Sequence, residues 1–165
     1  MTDLGTLGGD ESEGYGINAF GQVTGEASTA GGQFHAFLYS GSAMTDLGTL
    51  PGQSGSMGQG INGSGQVTGW AYGAGDRGFL YSGGTMWDLV DLLDGGNPLN
   101  GGWTTLYSGQ GINDSGWITG YGELFADGEL HAFLMTPVPE PGTLALLGLG
   151  LPLGLAWFKR RRAAQ

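Results

Sequence analysis

The sequence predicts an all-β fold: a propeller-like array of about three four-stranded antiparallel repeats of about 43 residues, followed by one short hydrophobic transmembrane helix. Three observations predict it. Glycine supplies 37 of 165 residues, which suits frequent turns better than helices. Short motifs recur along residues 1–136, and an uncharged, leucine-rich stretch covers residues 143–158. The chain therefore divides into a repeat domain and a terminal segment.

Three motifs mark the repeats and divide them into units of about 1–50, 51–93 and 94–136. "GIN" occurs at 16–18, 60–62 and 111–113, and "HAFLY", "RGFLY" and "HAFLM" begin at residues 35, 77 and 131. "MTDLGTL" begins at residues 1 and 44, and "MWDLVDLL" begins at residue 86. A period near 43 is typical of propellers, solenoids and arrays.

Each "GIN" motif opens a predicted hairpin, because an asparagine precedes a glycine by three residues, as in a type I turn. These turn residues, which we interpret as structural, are Asn18 and Gly21, Asn62 and Gly65, and Asn113 and Gly116. The hydrophobic residues flanking the turns are predicted to pair across the hairpin and enter the core: Ile17 with Val23, Ile61 with Val67, and Ile112 with Ile118.

A second hairpin in each unit leads into the Met-x-Asp-Leu strand through a two-residue turn, "GS" at 41–42 and "GG" at 83–84. Residues 1–7 are then predicted to be a fourth strand without its first three, and the last unit ends after its third strand. We favour the tail of a longer array, because propellers normally have at least four blades. The alternative is an unusual closure in which the N-terminal strand completes the last unit.

An insertion at 94–110 sets the third unit apart. Its Trp103, Leu106 and Tyr107 are predicted to cap an exposed sheet face, because a terminal repeat must cover a surface that inner repeats share with a neighbour. A ligand-binding loop is the alternative interpretation.

The end of the chain has three parts: a proline-rich linker at 137–142, a hydrophobic transmembrane segment at 143–158 and a basic cytoplasmic tail at 159–165. A sixteen-residue helix spans roughly 24 Å, less than the ~30 Å hydrocarbon core. Trp157 suits the membrane interface. The basic residues Lys159, Arg160, Arg161 and Arg162 are expected to stay on the cytoplasmic side, which leaves the repeats outside the cytoplasm.

The stretch "VPEPGTLALLGLGLPLGLAWFKRRR" resembles the PEP-CTERM sorting signal of Gram-negative bacteria. The resemblance implies that Pro139, Glu140 and Pro141 form the recognition site of an exosortase, a membrane transpeptidase that removes the tail during export. It therefore implies transient membrane anchoring, followed by display at the cell surface or release outside the cell.

The repeats, through "DLGTLGG", "GINAFGQVTG" and "HAFLYS", resemble the HAF family of probable extracellular repeats. The middle unit departs from that pattern, with "RGF" in place of "HAF". No secretory signal peptide begins at Met1, and we expect a missing N-terminal portion that carries the signal and earlier repeats. The family implies no established activity.

Charge and composition exclude some functions. Fifteen acidic residues face a single basic residue, Arg77, up to residue 142, so the repeat domain is not expected to bind nucleic acid. The chain has no cysteine for thiolate chemistry. His35 and His131 occupy the same place in two units, where the other has Arg77, so we interpret both as structural. No zinc ligand set stands at recognisable spacing.

No cofactor is predicted, although oxygen ligands near residues 10–13 and 113–114 leave a calcium site as an open alternative. We expect a non-enzymatic, exported structural, adhesion or polysaccharide-binding module, associated with biofilm matrix by analogy with the sorting family. The alternative is a secreted carbohydrate-active enzyme, a glycoside hydrolase or lyase. In that case Asp46, Asp88 and Glu123 would supply its inward-facing acids.

Overall fold

A computed structural model describes residues 1–93 and 102–136, which form three antiparallel sheets. Sheet A contains β1 (Gly8–Ile17), β2 (Val23–Thr29), β3 (Phe34–Ser40) and β4 (Ala43–Asp46). Sheet B contains β5 (Gly55–Ile61), β6 (Val67–Tyr72), β7 (Arg77–Ser82) and β8 (Thr85–Asp88). Sheet C contains β9 (Trp103–Ile112), β10 (Ile118–Leu124) and β11 (Leu130–Met135). The described residues are all-β, with no helix, as the sequence predicts.

Within each sheet, every strand pairs with the next one along the chain, because the turns between them are short. The amide of Gly21 donates to the carbonyl of Asn18 (3.1 Å), and the two later "GIN" turns repeat this bond. The turn between β3 and β4 has positive φ at both Gly41 (59°) and Ser42 (83°). Such a turn matches the twist of a tight hairpin. The two predicted hairpins of each four-stranded unit are thus present.

Successive sheets pack face to face, sheet A on sheet B and sheet B on sheet C. The core between sheets A and B consists of Ala36, Leu47, Leu50, Ile61, Val67, Ala71 and Phe79. The core between sheets B and C consists of Leu80, Leu89, Leu106, Ile118, Phe133 and Met135. Sheet B therefore contributes to a core on each face, whereas sheets A and C each share one face with a neighbour. The three described sheets form an open array and do not close into a ring.

Among the residues that the structure describes, no helix is long and apolar enough to cross a bilayer. The predicted transmembrane segment at 143–158 lies outside those residues.

The predicted N-terminal strand is wrong. Residues 1–6 form no strand, and Leu7 makes only an isolated bridge to Thr29. The corresponding strand β4 forms because β3 lies beside it, with Phe37 opposite Asp46. The described residues contain no strand that pairs with residues 1–6.

The prediction that Ile17 enters the core is also wrong. Ile17 does lie opposite Val23, as the turn requires, but its side chain is 71% exposed and Val23 is half-buried. The equivalent pair in sheet B, Ile61 and Val67, is buried. Sheet A covers Ile61, while no sheet of the described residues covers the face of sheet A that carries Ile17.

The predicted cap over an exposed face is a third correction. Residues 94–101 of the insertion lie outside the described residues, but Trp103, Leu106 and Tyr107 belong to β9. Leu106 is buried in the core between sheets B and C, with Trp103 packed against that core. Leu106 and Trp103 therefore help to fill an internal interface, whereas the Tyr107 ring lies against Tyr121.

Candidate functional site: inter-sheet ladders and an aromatic–acidic row

The turn asparagines connect the three sheets. The Nδ2 of Asn18 donates to the carbonyl of Asn62 (2.9 Å), and the Nδ2 of Asn62 donates to the carbonyl of Asn113 (3.1 Å). Each asparagine Oδ1 also accepts two amides of its own turn; for Asn62 these are the amides of Ser64 and Gln66. One side chain thus shapes its turn and, in sheets A and B, also holds the next turn. This arrangement explains the recurrence of Asn18, Asn62 and Asn113 with Gly21, Gly65 and Gly116.

Two threonines lie at the interfaces between the sheets, and each is held by a hydrogen bond within its own sheet. The hydroxyl of Thr24 donates to the carbonyl of Phe37 (2.7 Å), and that of Thr68 donates to the carbonyl of Phe79 (2.8 Å). A Cβ on Gly58 would collide with the Thr24 hydroxyl, and one on Gly109 would collide with the Thr68 hydroxyl. These glycines therefore allow the close approach of neighbouring sheets.

The side chains at the repeated histidine and arginine positions pair with aspartates. The Nδ1 of His35 lies 3.0 Å from Asp46, and the Nη1 of Arg77 lies 3.2 Å from Asp88. His131 instead contacts Asp127, four residues earlier, at 3.3 Å. Burial raises the pKa of Asp88, an effect that outweighs the opposing influence of the Val90 amide and the Arg77 guanidinium.

A row of aromatic and acidic side chains crosses β1–β2, β5–β6 and β9–β10. We call it the aromatic–acidic row; its members are Glu13, Tyr15, Glu26, Trp70, Tyr72, Tyr107, Tyr121 and Glu123. A Thr-Gly pair occurs in β2, β6 and β10, and the residue that follows it is Glu26, Trp70 and Tyr121, respectively. These three residues occupy equivalent places in the three sheets. The row is therefore a consequence of the repeat, with different chemistry in each unit.

Contacts within the row join rings to carboxylates. In sheet A, the hydroxyl of Tyr15 donates to Glu13 (2.6 Å) and to Glu26 (3.2 Å). In sheet C, the hydroxyl of Tyr107 donates to Glu123 (2.9 Å), and its ring stacks on Tyr121 with centroids 6.3 Å apart.

In sheet B, the rings of Trp70 and Tyr72 lie 5.5 Å apart, and Tyr72 lies directly over Gly55. Half-buried, ordered rings beside carboxylate acceptors provide flat apolar faces and hydrogen-bond acceptors in one surface.

Electrostatic interactions act within the row in sheet A and between sheets A and B. The bond to Glu13 raises the pKa of Tyr15, and burial and Glu26 raise it further. Burial raises the pKa of Glu26, against the lowering effect of the Tyr15 hydroxyl bond. Burial also raises the pKa of Tyr72, and the charge of Glu26 in the neighbouring sheet adds to that rise. Tyr72 and Glu26 therefore lie close enough to interact across the interface.

The acidic residues first considered for calcium line an open groove at the end of sheet A. The groove has a volume of about 490 Å³ and is bordered by Asp3, Thr6 and residues 10–13. In the described ranges, no three His, Asp or Glu side chains come together to hold a metal ion. Asp114 instead accepts the amide of Gly63 (2.7 Å), which ties sheet C to sheet B.

The acids considered for glycoside hydrolysis lie on three different sheets. Asp46 is at the end of β4, Asp88 at the end of β8 and Glu123 in β10. Each has its own partner: His35, Arg77 and Tyr107, respectively.

Sequence reasoning missed most of the aromatic–acidic row. Motif spacing does not select residues whose type differs from unit to unit. This is the case for Tyr15, Glu26, Trp70, Tyr72 and Tyr121. The signal is positional: aligning "VTGEAST", "VTGWAYG" and "ITGYGEL" puts a large or charged residue directly after the glycine in each unit.

A family model of the PEP-CTERM protein-sorting motif matches residues 137–162. No match was found among curated proteins or among solved structures. The matched motif implies export, recognition by an exosortase and processing while the chain is anchored in the membrane. Its predicted recognition residues, Pro139, Glu140 and Pro141, and its membrane flank, Trp157 and Lys159–Arg162, lie outside the described residues.

Proposed function

We propose that this chain is an exported surface or matrix protein of a Gram-negative bacterium whose β-array binds extracellular polysaccharide without chemical turnover. The C-terminal motif directs the export and processing of the chain. The array, which resembles HAF repeats, is the part that an exosortase leaves outside the cell.

The aromatic–acidic row supports the binding role. Binding sites for small molecules and sugars combine apolar, often aromatic surface with a few fixed polar groups. In sheet C, Tyr107 and Tyr121 present stacked rings, and Glu123 fixes one of them by a hydrogen bond. In sheet A, Tyr15 lies between two carboxylates. A row of such contacts along the array suits an extended chain that offers C–H faces and hydroxyl groups at regular intervals.

The separate placement of the acids supports a non-enzymatic role. Glycoside hydrolysis needs two carboxylates on either side of one bond, about 5 to 10 Å apart. Asp46 pairs with His35 and Asp88 pairs with Arg77 at equivalent strand ends, as expected of a repeated structural contact. Glu123 holds a tyrosine of the row.

Binding is tested with the full chain in mild detergent against a panel of acidic and neutral exopolysaccharides. The change Tyr121→Ala should weaken binding, because it removes one ring of the stacked pair in sheet C. A matched control is Phe20→Ala, since Phe20 is an aromatic residue that is 76% exposed but lies outside the row. Binding that is unchanged in Tyr121→Ala, or no binding to any member of the panel, would contradict the proposal.

Turnover is measured in the same samples as the release of reducing or unsaturated sugar ends. We expect no release above that of a blank. Release that Glu123→Gln abolishes would identify the chain as a carbohydrate-active enzyme and overturn the non-enzymatic proposal.

Delivery is tested in a host that has an exosortase. The change Glu140→Ala within the tripeptide should leave the uncut chain in the membrane fraction, whereas the wild-type chain should appear without its tail. Equal processing of both chains would contradict the role given to Pro139, Glu140 and Pro141.

A further inference from the structure

Sheet C lacks the strand that completes each of the other two sheets. In sheets A and B, a four-residue strand, β4 or β8, pairs with the strand that carries the "FLY" motif. In sheet C, the equivalent strand is β11, and among the described residues only β10 pairs with it. Within the described part of the chain, the outer edge of β11 is therefore unpaired, and an unpaired edge can accept an added strand.

The chain carries a second copy of the β4 sequence at its start. Residues 1–7, "MTDLGTL", are identical to residues 44–50, whose first three residues form most of β4. Residues 4–7 also repeat the local structure of residues 47–50. The amide of Gly5 donates to Asp3 (2.9 Å), as the amide of Gly48 donates to Asp46 (2.7 Å).

Residues 47–50 link sheet A to sheet B, and the hydrogen bond that holds this linker is repeated at residues 4–7. The hydroxyl of Ser12 donates to the carbonyl of Gly5 (2.7 Å), and the hydroxyl of Ser56 donates to the carbonyl of Gly48 (2.5 Å). The N-terminal segment therefore already has the conformation of an inter-sheet linker, while its strand residues have no partner strand in the described part of the chain.

The outer faces of sheets A and C expose residues whose equivalents are buried at the interfaces between sheets. Leu134 of sheet C is 63% exposed, whereas the equivalent Leu80 of sheet B is 8% exposed beneath sheet C. Ile17 of sheet A is 71% exposed, whereas the equivalent Ile61 is 8% exposed beneath sheet A. A Cβ on Gly14 would meet only Val23, at 3.3 Å, so the space that Thr24 fills above Gly58 is open there.

We propose that copies of this chain associate head to tail: residues 1–3 of one copy pair as a fourth strand with β11 of another, and sheet A of the first copy packs on sheet C of the second. The pairing follows the β3–β4 register, in which Phe37, Leu38 and Tyr39 lie opposite Asp46, Thr45 and Met44. Phe133, Leu134 and Met135 then lie opposite Asp3, Thr2 and Met1 of the other copy.

The register also supplies a partner for His131. His35 stands two residues before Phe37 and pairs with Asp46 (3.0 Å), and Arg77 pairs in the same way with Asp88. His131 stands two residues before Phe133, so it would pair with Asp3 of the other copy in place of its local contact with Asp127.

A second copy fits this role better than the same chain. Sheet B lies between sheets A and C, so the N-terminal segment of one copy is at the opposite end of the array from its own β11. Head-to-tail contacts of this kind repeat from copy to copy and produce filaments unless the rotation closes a ring. This inference goes beyond polysaccharide binding and does not depend on it.

The natural absence of cysteine makes cross-linking a clean test. Full chains carrying Thr2→Cys and, separately, Leu134→Cys are given different tags, mixed in mild detergent and oxidised; both sites are exposed in the single copy. We expect a disulfide-linked pair containing both tags. Thr104→Cys is the matched control, because Thr104 is exposed on β9 at the other edge of sheet C. It should give no pair with Thr2→Cys above the background of random collision.

Two further variants test the chemistry of the contact. Asp3→Lys should weaken the cross-link, because it removes the carboxylate that His131 would contact, whereas His131→Arg should preserve it, because Arg77 makes the equivalent contact in sheet B. Equal cross-linking at Leu134→Cys and Thr104→Cys would overturn the proposal. So would a monomeric mass at every protein concentration. A Thr2→Cys, Leu134→Cys double variant that forms only an internal disulfide would assign the strand to its own chain and overturn it as well.

Discussion

Ile17 and Ile61 are the middle residues of two "GIN" motifs in equivalent hairpins, yet one is 71% exposed and the other is 8% exposed. Both lie opposite a valine across an asparagine turn, so their local structure is the same. The difference is the neighbouring sheet: sheet A covers Ile61, and no described sheet covers Ile17. Burial in this molecule is therefore a property of the interface between repeats.

Sheet B, with a neighbour on each face, should then be the most stable unit of the array. In repeat proteins, stability is approximately the sum of the intrinsic stability of each repeat and the free energies of the interfaces between neighbours. Equivalent substitutions in sheets A, B and C should have unequal costs, and the inequality measures the interfaces.

The largest difference is expected for the isoleucines. Ile61→Ala should lower the free energy of unfolding by about 3 kcal/mol, because it leaves a cavity between sheets A and B. Ile17→Ala should change it by less than about 0.5 kcal/mol. Chemical denaturation of the two full-length variants in the same detergent checks this, and equal losses would contradict the interface account.

A smaller difference is expected for the close-approach glycines. Gly58→Ala should cost about 2 kcal/mol, since the added methyl group collides with a threonine hydroxyl that is fixed by its bond to the Phe37 carbonyl. Gly14→Ala, at the equivalent place in sheet A, meets only a Val23 methyl group at 3.3 Å and should be nearly neutral. Thermal unfolding compares the two. A neutral Gly58→Ala would show that the sheets can move apart without loss.

Sequence reasoning reaches the strands and turns because both are local. The turn from Asn18 to Gly21 and the two-residue turn at 41–42 follow from residue types a few positions apart, and both are present. The strand predicted at residues 1–7 fails because a strand needs a partner, and the pattern of "MTDLGTL" contains no information about whether β3 or its equivalent lies beside it.

The candidate site is harder to predict, because it depends on which side chains the packing of sheets brings together. The asparagine positions could be selected by their repetition, but the bond from Asn18 to the Asn62 carbonyl spans 44 residues and appears only when the sheets stack. The electrostatic influence of Glu26 on the pKa of Tyr72 likewise acts between two sheets. Neither follows from a motif within one unit.

The asparagine ladder offers a third contrast between an inner and an outer unit. Asn62 is 2% exposed and uses both ends of its amide, including a bond to the Asn113 carbonyl (3.1 Å). Asn113 is exposed, and its side-chain Oδ1 accepts the amides of Ser115 and Trp117 within its own turn. Asn62→Ala should therefore cost about 2 kcal/mol, and Asn113→Ala about 0.5 to 1 kcal/mol. Hydrogen exchange of the Gly65 and Gly116 amides, followed with each variant, locates the loss; equal opening of both turns in either variant would contradict the ladder.

The smallest effect concerns charge, at the position where sheet A has Glu26 and sheet B has Trp70. Burial raises the pKa of Glu26 above its ordinary value of 4.5, so the folded chain holds the proton more tightly than the unfolded chain. Stability should consequently fall as pH rises from about 4.5 through the raised pKa.

Glu26→Gln should reduce that fall and raise the stability near neutral pH by about 0.5 kcal/mol, while Asp88, whose pKa burial also raises, keeps part of the slope. Tyr15→Phe should steepen the fall, because the Tyr15 hydroxyl bond lowers the pKa of Glu26. The test is to measure the denaturation midpoints of the wild-type chain and of both variants from about pH 4 to pH 8. Carboxylates with a raised pKa titrate in this range. An unchanged slope in Glu26→Gln would show that the Glu26 carboxylate is as well solvated in the array as in the unfolded chain.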